Sequence, residues 1–202
     1  MTYVPPTRFR YTQTTTPDQY TIVTVAEAKA HAIIDDTGVT ALDTATDALV
    51  LSFIKAAVNN WIEFTGVYPL HTEFTASLDA SPVVCECWLR FPPIVTVDKV
   101  YGLDADAGET VLDSADYAVD TINAIVKSFE WPSGDANFSS FNIDYTTGLG
   151  EDVPAVPEDV KLAVKMMVTH WYQHREAVTD ISLREVPLSA QTIMQTYKPA
   201  RF

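Results

Sequence analysis

Apolar positions change their period twice along this chain, and those changes divide it into helical, strand-rich and again helical stretches. From about Asp47 to Thr65, Val50, Ile54, Ala57, Trp61 and Phe64 recur at helical spacing, with Leu51, Val58 and Ile62 as a second flank. Gly66 then stands where a left-handed closing residue is favoured. An apolar arc this wide predicts burial from two sides, by the chain's own core and by another protomer. Ahead of it, Thr24-Val25-Ala26-Glu27 has the spacing of a capping box and predicts a short helix to about Ile34, stopped by Asp35-Asp36-Thr37-Gly38. Val39 to Thr44 reads as a loop.

From His71 to about Tyr145 the period is two. Predicted strands are Thr72–Leu78, Val84–Phe91, Val95–Leu103, Tyr117–Val119, Ala124–Phe129 and Phe141–Tyr145, separated by turn-forming stretches such as Pro92-Pro93 and Trp131-Pro132-Ser133-Gly134. No helical crossover lies between them, so the pairing is expected to be antiparallel. Helical period returns at Pro157, with Glu158 and Asp159 in the first turn, where the helix dipole favours acid. Val160, Ala163, Val164, Met167, Val168 and Trp171 form its stripe to about Glu176. Pro187 introduces a last short helix, Leu188 to Tyr197.

The expected fold is therefore α+β. A small helical bundle combines two N-terminal helices with a long and a short C-terminal helix, and an antiparallel β-domain is inserted between them. The expected boundaries are an extended arm over 1–22, helical core over 23–70 and 151–202, and the β-rich insertion over 71–150. The arm assignment follows from the Thr, Pro and Gln of the first 20 residues. No internal repeat is visible.

Composition narrows function by exclusion. Hydrophobic residues are 47% and charged residues 20% of 202, enough for a packed core. No apolar run approaches the roughly 20 residues of a membrane-spanning helix, and Met1 to Arg10 lacks a signal-peptide pattern, so a soluble chain without a membrane partner is expected. Net charge is −14, with 13 basic residues scattered among 27 acidic ones. Tight nucleic-acid binding needs clustered Lys and Arg, which are missing. Acidity suits the wall of a channel through which DNA slides, and equally a face kept soluble by charge. Composition alone does not choose.

Candidate chemistry is thin. Cys85 and Cys87 would share one strand face, where a disulfide would be strained and only half of a zinc site is present. His170 and His174 sit i, i+4 on one helical face, but Trp171 stands where a zincin needs Glu, and no third ligand lies nearby. Asp35-Asp36 and the loop Asp104 to Glu109 do not match Ca²⁺-loop spacing. Gly148-Leu149-Gly150-Glu151 has no following Lys-Ser/Thr for a phosphate, and no nucleophile elbow occurs. No catalytic residue, metal ligand or cofactor is assigned, and an enzyme is not expected.

The order of elements resembles a family. Val23-Thr24-Val25-Ala26-Glu27-Ala28-Lys29-Ala30-His31 with its acidic turn is similar to the opening helix of head–tail connector (adaptor, head-completion) proteins of tailed bacteriophages. Trp61-Ile62-Glu63-Phe64-Thr65-Gly66 resembles the close of their second helix. Phe91-Pro92-Pro93-Ile94 to Val100-Tyr101 and Asp116 to Asp120 resemble the strand block of the longer members, and Ile143 to Gly148 then leads to Val153-Pro154 and Pro157 to Lys161. His170-Trp171-Tyr172-Gln173-His174-Arg175-Glu176 is the most specific piece, and the likeness spans about Val23 to Arg201. The resemblance implies a structural virion protein of the neck, made in the host cytoplasm. Further implications are a ring of about twelve copies with cyclic symmetry under the portal protein, passage of genomic DNA without sequence-specific binding, and a docking platform for a tail-completion (stopper) protein. The N-terminal extension, Met1 to Ile22, is longer than the family's usual start.

Ile193, Met194, Tyr197, Arg201 and Phe202 are the candidate interface residues, because a short terminal helix hardly buries itself alone. Packing against their own domain is the competing expectation. Two other classes stay open at this point: a tail-completion or head-decoration module, distinguished by copy number, and a metal-dependent hydrolase using His170, His174 and Glu176, distinguished by metal analysis.

Overall fold

A computed structural model describes residues 10–79, 86–104, 106, 108–128, 138–174 and 187–199. The chain divides into two compact units, one of residues 1–17 with 71–148 and one of 18–70 with 149–202. The fold is α+β, and its strands pair antiparallel.

The helical unit opens on a 3-10 turn, Gln19–Ile22, and then α1, Val25–Ala32. The capping box forms as read: Thr24 Oγ1 accepts from Glu27 N at 3.2 Å, and Thr24 N donates to the Glu27 carboxylate at 2.7 Å. Ile33 closes α1 at φ 56°, a left-handed position unusual for a β-branched residue. Helix α2 runs Thr40–Thr65, seven residues longer at its start than the predicted Asp47. The threonines near its start do not break it, because Thr44 and Thr46 donate their hydroxyls to the carbonyls of Thr40 and Leu42 and leave the ladder intact. Ala41, Leu42, Ala45 and Ala48 supply helix propensity.

The α2 stripe Val50, Ile54, Ala57, Val58 and Trp61 is fully buried. It meets Val160, Ala163, Val164, Met167 and Val168 of α3, Glu158–Gln173. Helix α3 packs against α1, α2 and α4, the last spanning Leu188–Tyr197. Pro157 precedes the first α3 residue rather than occupying it. Glu176 and the rest of 175–186 lie outside the described residues.

The β unit holds two sheets. The larger has the order β1-β2-β8-β4-β5, with β1 Arg10–Gln13, β2 Thr72–Asp79, β4 Ile94–Asp104, β5 Glu109–Val111 and β8 Phe138–Thr147. The smaller has the order β3-β7-β6, with β3 Glu86–Trp88, β6 Tyr117–Asp120 and β7 Ile125–Ser128. In β2 the residues alternate, Phe74, Ala76 and Leu78 inward, opposite Tyr145, Ile143 and Phe141 of β8. Strands β1 and β5 were not among the predicted elements. Both are edges of three or four residues whose side chains are largely exposed, so they carry no apolar period and exist through backbone pairing. The stretch read as an extended arm thus contributes an edge strand to one unit and the Gln19–Ile22 turn to the other.

The capping box generates a stability prediction. Thr24→Ala should lower unfolding free energy by about 1 kcal/mol. The Thr24 hydrogen bonds hold the Glu27 carboxyl below its usual range. Its contribution is therefore complete above the unfolded carboxylate pKa and lost as pH falls through the lower folded value. Denaturant titrations should show a wild-type advantage over Glu27→Gln that is flat above about pH 5 and shrinks below about pH 4.

Candidate functional site

Where the sequence placed a contact surface, the structure has a tightly organised corner. Ala190 and Met194 of α4 point into the helical core, and Met194 is 1% exposed. Ile193 and Tyr197 pack half-buried against that core. The Tyr197 ring lies edge-on to Trp61, with centroids 5.2 Å apart and planes at 62°. Its hydroxyl donates to the Asp159 carboxylate, with oxygens at 2.8 and 2.9 Å. Burial and this carboxylate push the Tyr197 phenol up to about 12. Beyond α4, the Lys198 ammonium sits 4.9 Å from the Phe64 ring centroid. Of the five candidate residues, three thus engage their own domain. Arg201 and Phe202 lie outside the described residues.

Trp61 organises this corner. It is fully buried, and its indole N–H donates to the Val67 carbonyl at 3.1 Å across the turn made by Gly66 at φ 71°. Thr65 Oγ1 accepts from Val67 N at 3.0 Å and donates to Trp61 O at 2.7 Å. Farther on, the buried Gln19 carboxamide accepts from Leu70 N at 2.8 Å and donates to Leu70 O at 3.2 Å. The Gln19 clamp and the Tyr197–Asp159 link went unseen in the sequence, where Asp159 showed only as a first-turn acid. The legible signal was an aromatic at the end of an amphipathic helix.

The groups with chemical potential are engaged structurally. The His170 and His174 rings lie with centroids 4.8 Å apart and planes tilted by 32°, and His174 Nδ1 lies 3.0 Å from the His170 carbonyl. Among the described residues no group of three metal-ligating side chains comes together. Cys87 is buried, and burial pushes its thiol up to about 12, far from a reactive thiolate; Cys85 lies outside the described residues. Asp104 Oδ1 accepts from the backbone N–H groups of Asp106 and Gly108 at 2.9 and 2.7 Å, closing a turn. Leu149 N and Gly150 N donate to the carbonyls of Tyr68 and Pro69, so they are not open to a phosphate. A Cβ at Gly150 would approach the Val156 backbone nitrogen to 2.8 Å, which explains the glycine. Asp36 and Asp47 both pair with Lys29, and Asp43 accepts from Thr37 N and Oγ1. What remains is a scaffold with surfaces.

That scaffold is the fold of solved virion neck subunits. A chain from the neck of an empty gene transfer agent particle, computed with C6 symmetry, matches with a TM-score of 0.74 and 21% identity, over 96% of this chain and 97% of that one. A chain from the neck of a native gene transfer agent particle, computed with C12 symmetry, matches at 0.68 and 20% identity, again over 96% and 97%. No curated protein sequence matches. The head completion protein family model matches residues 21–198, and the chain belongs to that family. It is a structural head–tail connector of the virion and not an enzyme.

The corner makes a testable stability signature. Trp61→Ala should cost about 3–5 kcal/mol in chemical denaturation, and Tyr197→Phe about 1 kcal/mol. A raised phenol pKa means stability that is present below the unfolded pKa and lost as pH rises through the folded one. In alkaline melts between about pH 10 and pH 12 the wild type should lose stability more steeply than Tyr197→Phe. Tyr11, also pushed up to about 12 by burial, leaves both proteins a residual slope.

Proposed function

We propose that the chain forms a closed ring of about twelve copies under the portal in the virion neck. The ring continues the DNA channel and presents the surface on which a tail-completion protein docks. The observation that carries this reading is the end-to-end likeness to neck subunits computed with C12 and C6 symmetry, together with the family match over 21–198. Net charge of −14 supports a lumen that DNA passes without being held. In this reading the helical unit, 18–70 with 149–202, is the connector core, and the β unit is a body inserted into it.

The tail after α4 carries the contact to the portal. Met194 is taken up by its own core, and Ile193 and Tyr197 offer only their outer edges. Arg201 and Phe202, the other two candidate interface residues, lie outside the described residues.

Negative-stain microscopy with mass photometry, on the chain alone and mixed with its cognate portal, tests the proposal. Portals carrying an added layer with portal-like copy number are the expected result. Portals left unchanged beside monomeric chain would overturn it. A C-terminal truncation after Pro199 should leave the melting temperature unchanged and weaken portal capture by about tenfold or more.

A further inference from the structure

The five-stranded sheet ends in two edges of opposite charge. Strand β1 closes one side and β5 the other, and among the described residues each pairs with one neighbouring strand. Residues 1–17, which supply β1, hold Arg8 and Arg10 and no Asp or Glu. Residues 100–126, which supply β5 and the turns on either side of it, hold Asp104, Asp106, Glu109, Asp113, Asp116 and Asp120 and no Lys, Arg or His. Lys99 reaches this side from β4 and pairs with Glu109, which still leaves carboxylates in excess.

The ladders fix what each edge presents. Thr14 N donates to Glu73 O, so Arg10 and Thr12 also turn their backbone groups to β2, and Tyr11 and Gln13 turn theirs outward. On the other side, Leu112 N donates to Val100 O and Asp104 N to Gly108 O, so Glu109 and Val111 turn their backbone groups outward. Arg10, Ser77, Asn142, Tyr101 and Val111 form one row across a single face of the sheet, and Val111 is 54% exposed at its end. Four antiparallel steps separate β1 from β5, so the two edge strands run in the same direction.

We infer that β1 of one copy adds to β5 of the next, so that the sheet continues from copy to copy; the inference rests on the ring proposed above. Open strand edges are templates for pairing with another chain, and charge and direction select which chain. Copies of net charge −14 repel wherever acidic surfaces meet, whereas here one sheet offers a basic edge to an acidic one. Joining opposite edges is a head-to-tail contact, the kind that a cyclic ring repeats, and it sets β1 parallel to β5. In that parallel register Arg10 stands opposite Glu109 and Thr12 opposite Val111, all on one face. The outward backbone groups of Tyr11 and Gln13 then meet those of Glu109 and Val111. The same register carries Arg8 toward the β4–β5 turn, where Asp104 and Asp106 lie.

Thr12→Cys combined with Val111→Cys, in a Cys85→Ser background, tests this. Within one copy the two positions are four strand spacings apart, about 19 Å, far beyond the roughly 7 Å that a disulfide spans between Cα atoms. Any disulfide between them therefore joins two copies. Layers assembled on cognate portal under reducing conditions and then oxidised should give a ladder of trimers and larger species on a non-reducing gel. Either single variant should give nothing larger than dimer. A layer that forms without the ladder would overturn the inference and leave the ring standing. Wild type that builds no layer would overturn the ring and this inference together. Arg10→Glu decides the case in which the cysteines themselves hinder assembly. It should keep the wild-type melt and need about tenfold more protein to fill the layer; filling portals like wild type would overturn the inference.

Discussion

The helical unit depends on the seating of one indole. Trp61 lies on the buried stripe of α2, four residues before the helix ends at Thr65. Its N–H reaches across the Gly66 turn to Val67, which fixes the direction in which the chain leaves the helix. The same ring receives the edge of Tyr197 from the last helix, and Tyr197 in turn holds Asp159 at the start of α3. One side chain thus couples segments separated by more than a hundred residues. An indole N–H left unpaired in that apolar surrounding would cost about 1–3 kcal/mol, so the turn and the packing stand or fall together. Because the stripe of α2 faces inward around Trp61, its opposite side necessarily faces out.

Polar groups that attract attention as chemistry are, in the folded chain, bound to backbone or to one another. Carboxylates close turns or pair with Lys29, Leu149 and Gly150 give their N–H groups to the carbonyls of Tyr68 and Pro69, and Cys87 is buried as a neutral thiol. Such arrangements fix shape. A subunit that must hold its form while others dock on it needs that, and membership of the head completion protein family accords with it.

Much of this was legible in the amino-acid order, for physical reasons. The capping box at Thr24 and Glu27, the α2 and α3 stripes and the α4 boundaries rest on periodicity and end signals, which are local. The inserted strand block followed from a change of period. The early start of α2 escaped notice because threonine usually marks a loop, whereas Thr44 and Thr46 satisfy their hydroxyls on the preceding turn. Strands β1 and β5 were missed because their side chains carry little apolar signal. Gln19 and Tyr197 join residues distant in sequence, and no local rule reports such pairings. Candidate contacts at Ile193, Met194 and Tyr197 came from a sound premise, that a short helix needs a partner; the partner is the chain's own core.

A connector ring in the neck requires this chain at portal-like copy number in the virion. Quantitative mass spectrometry of purified virions, with labelled peptides of this chain and of the portal, measures that ratio directly. About one chain per portal subunit is the expected ratio. A many-fold excess over portal, as for a protein spread across the capsid lattice, or absence from the particle, would contradict it.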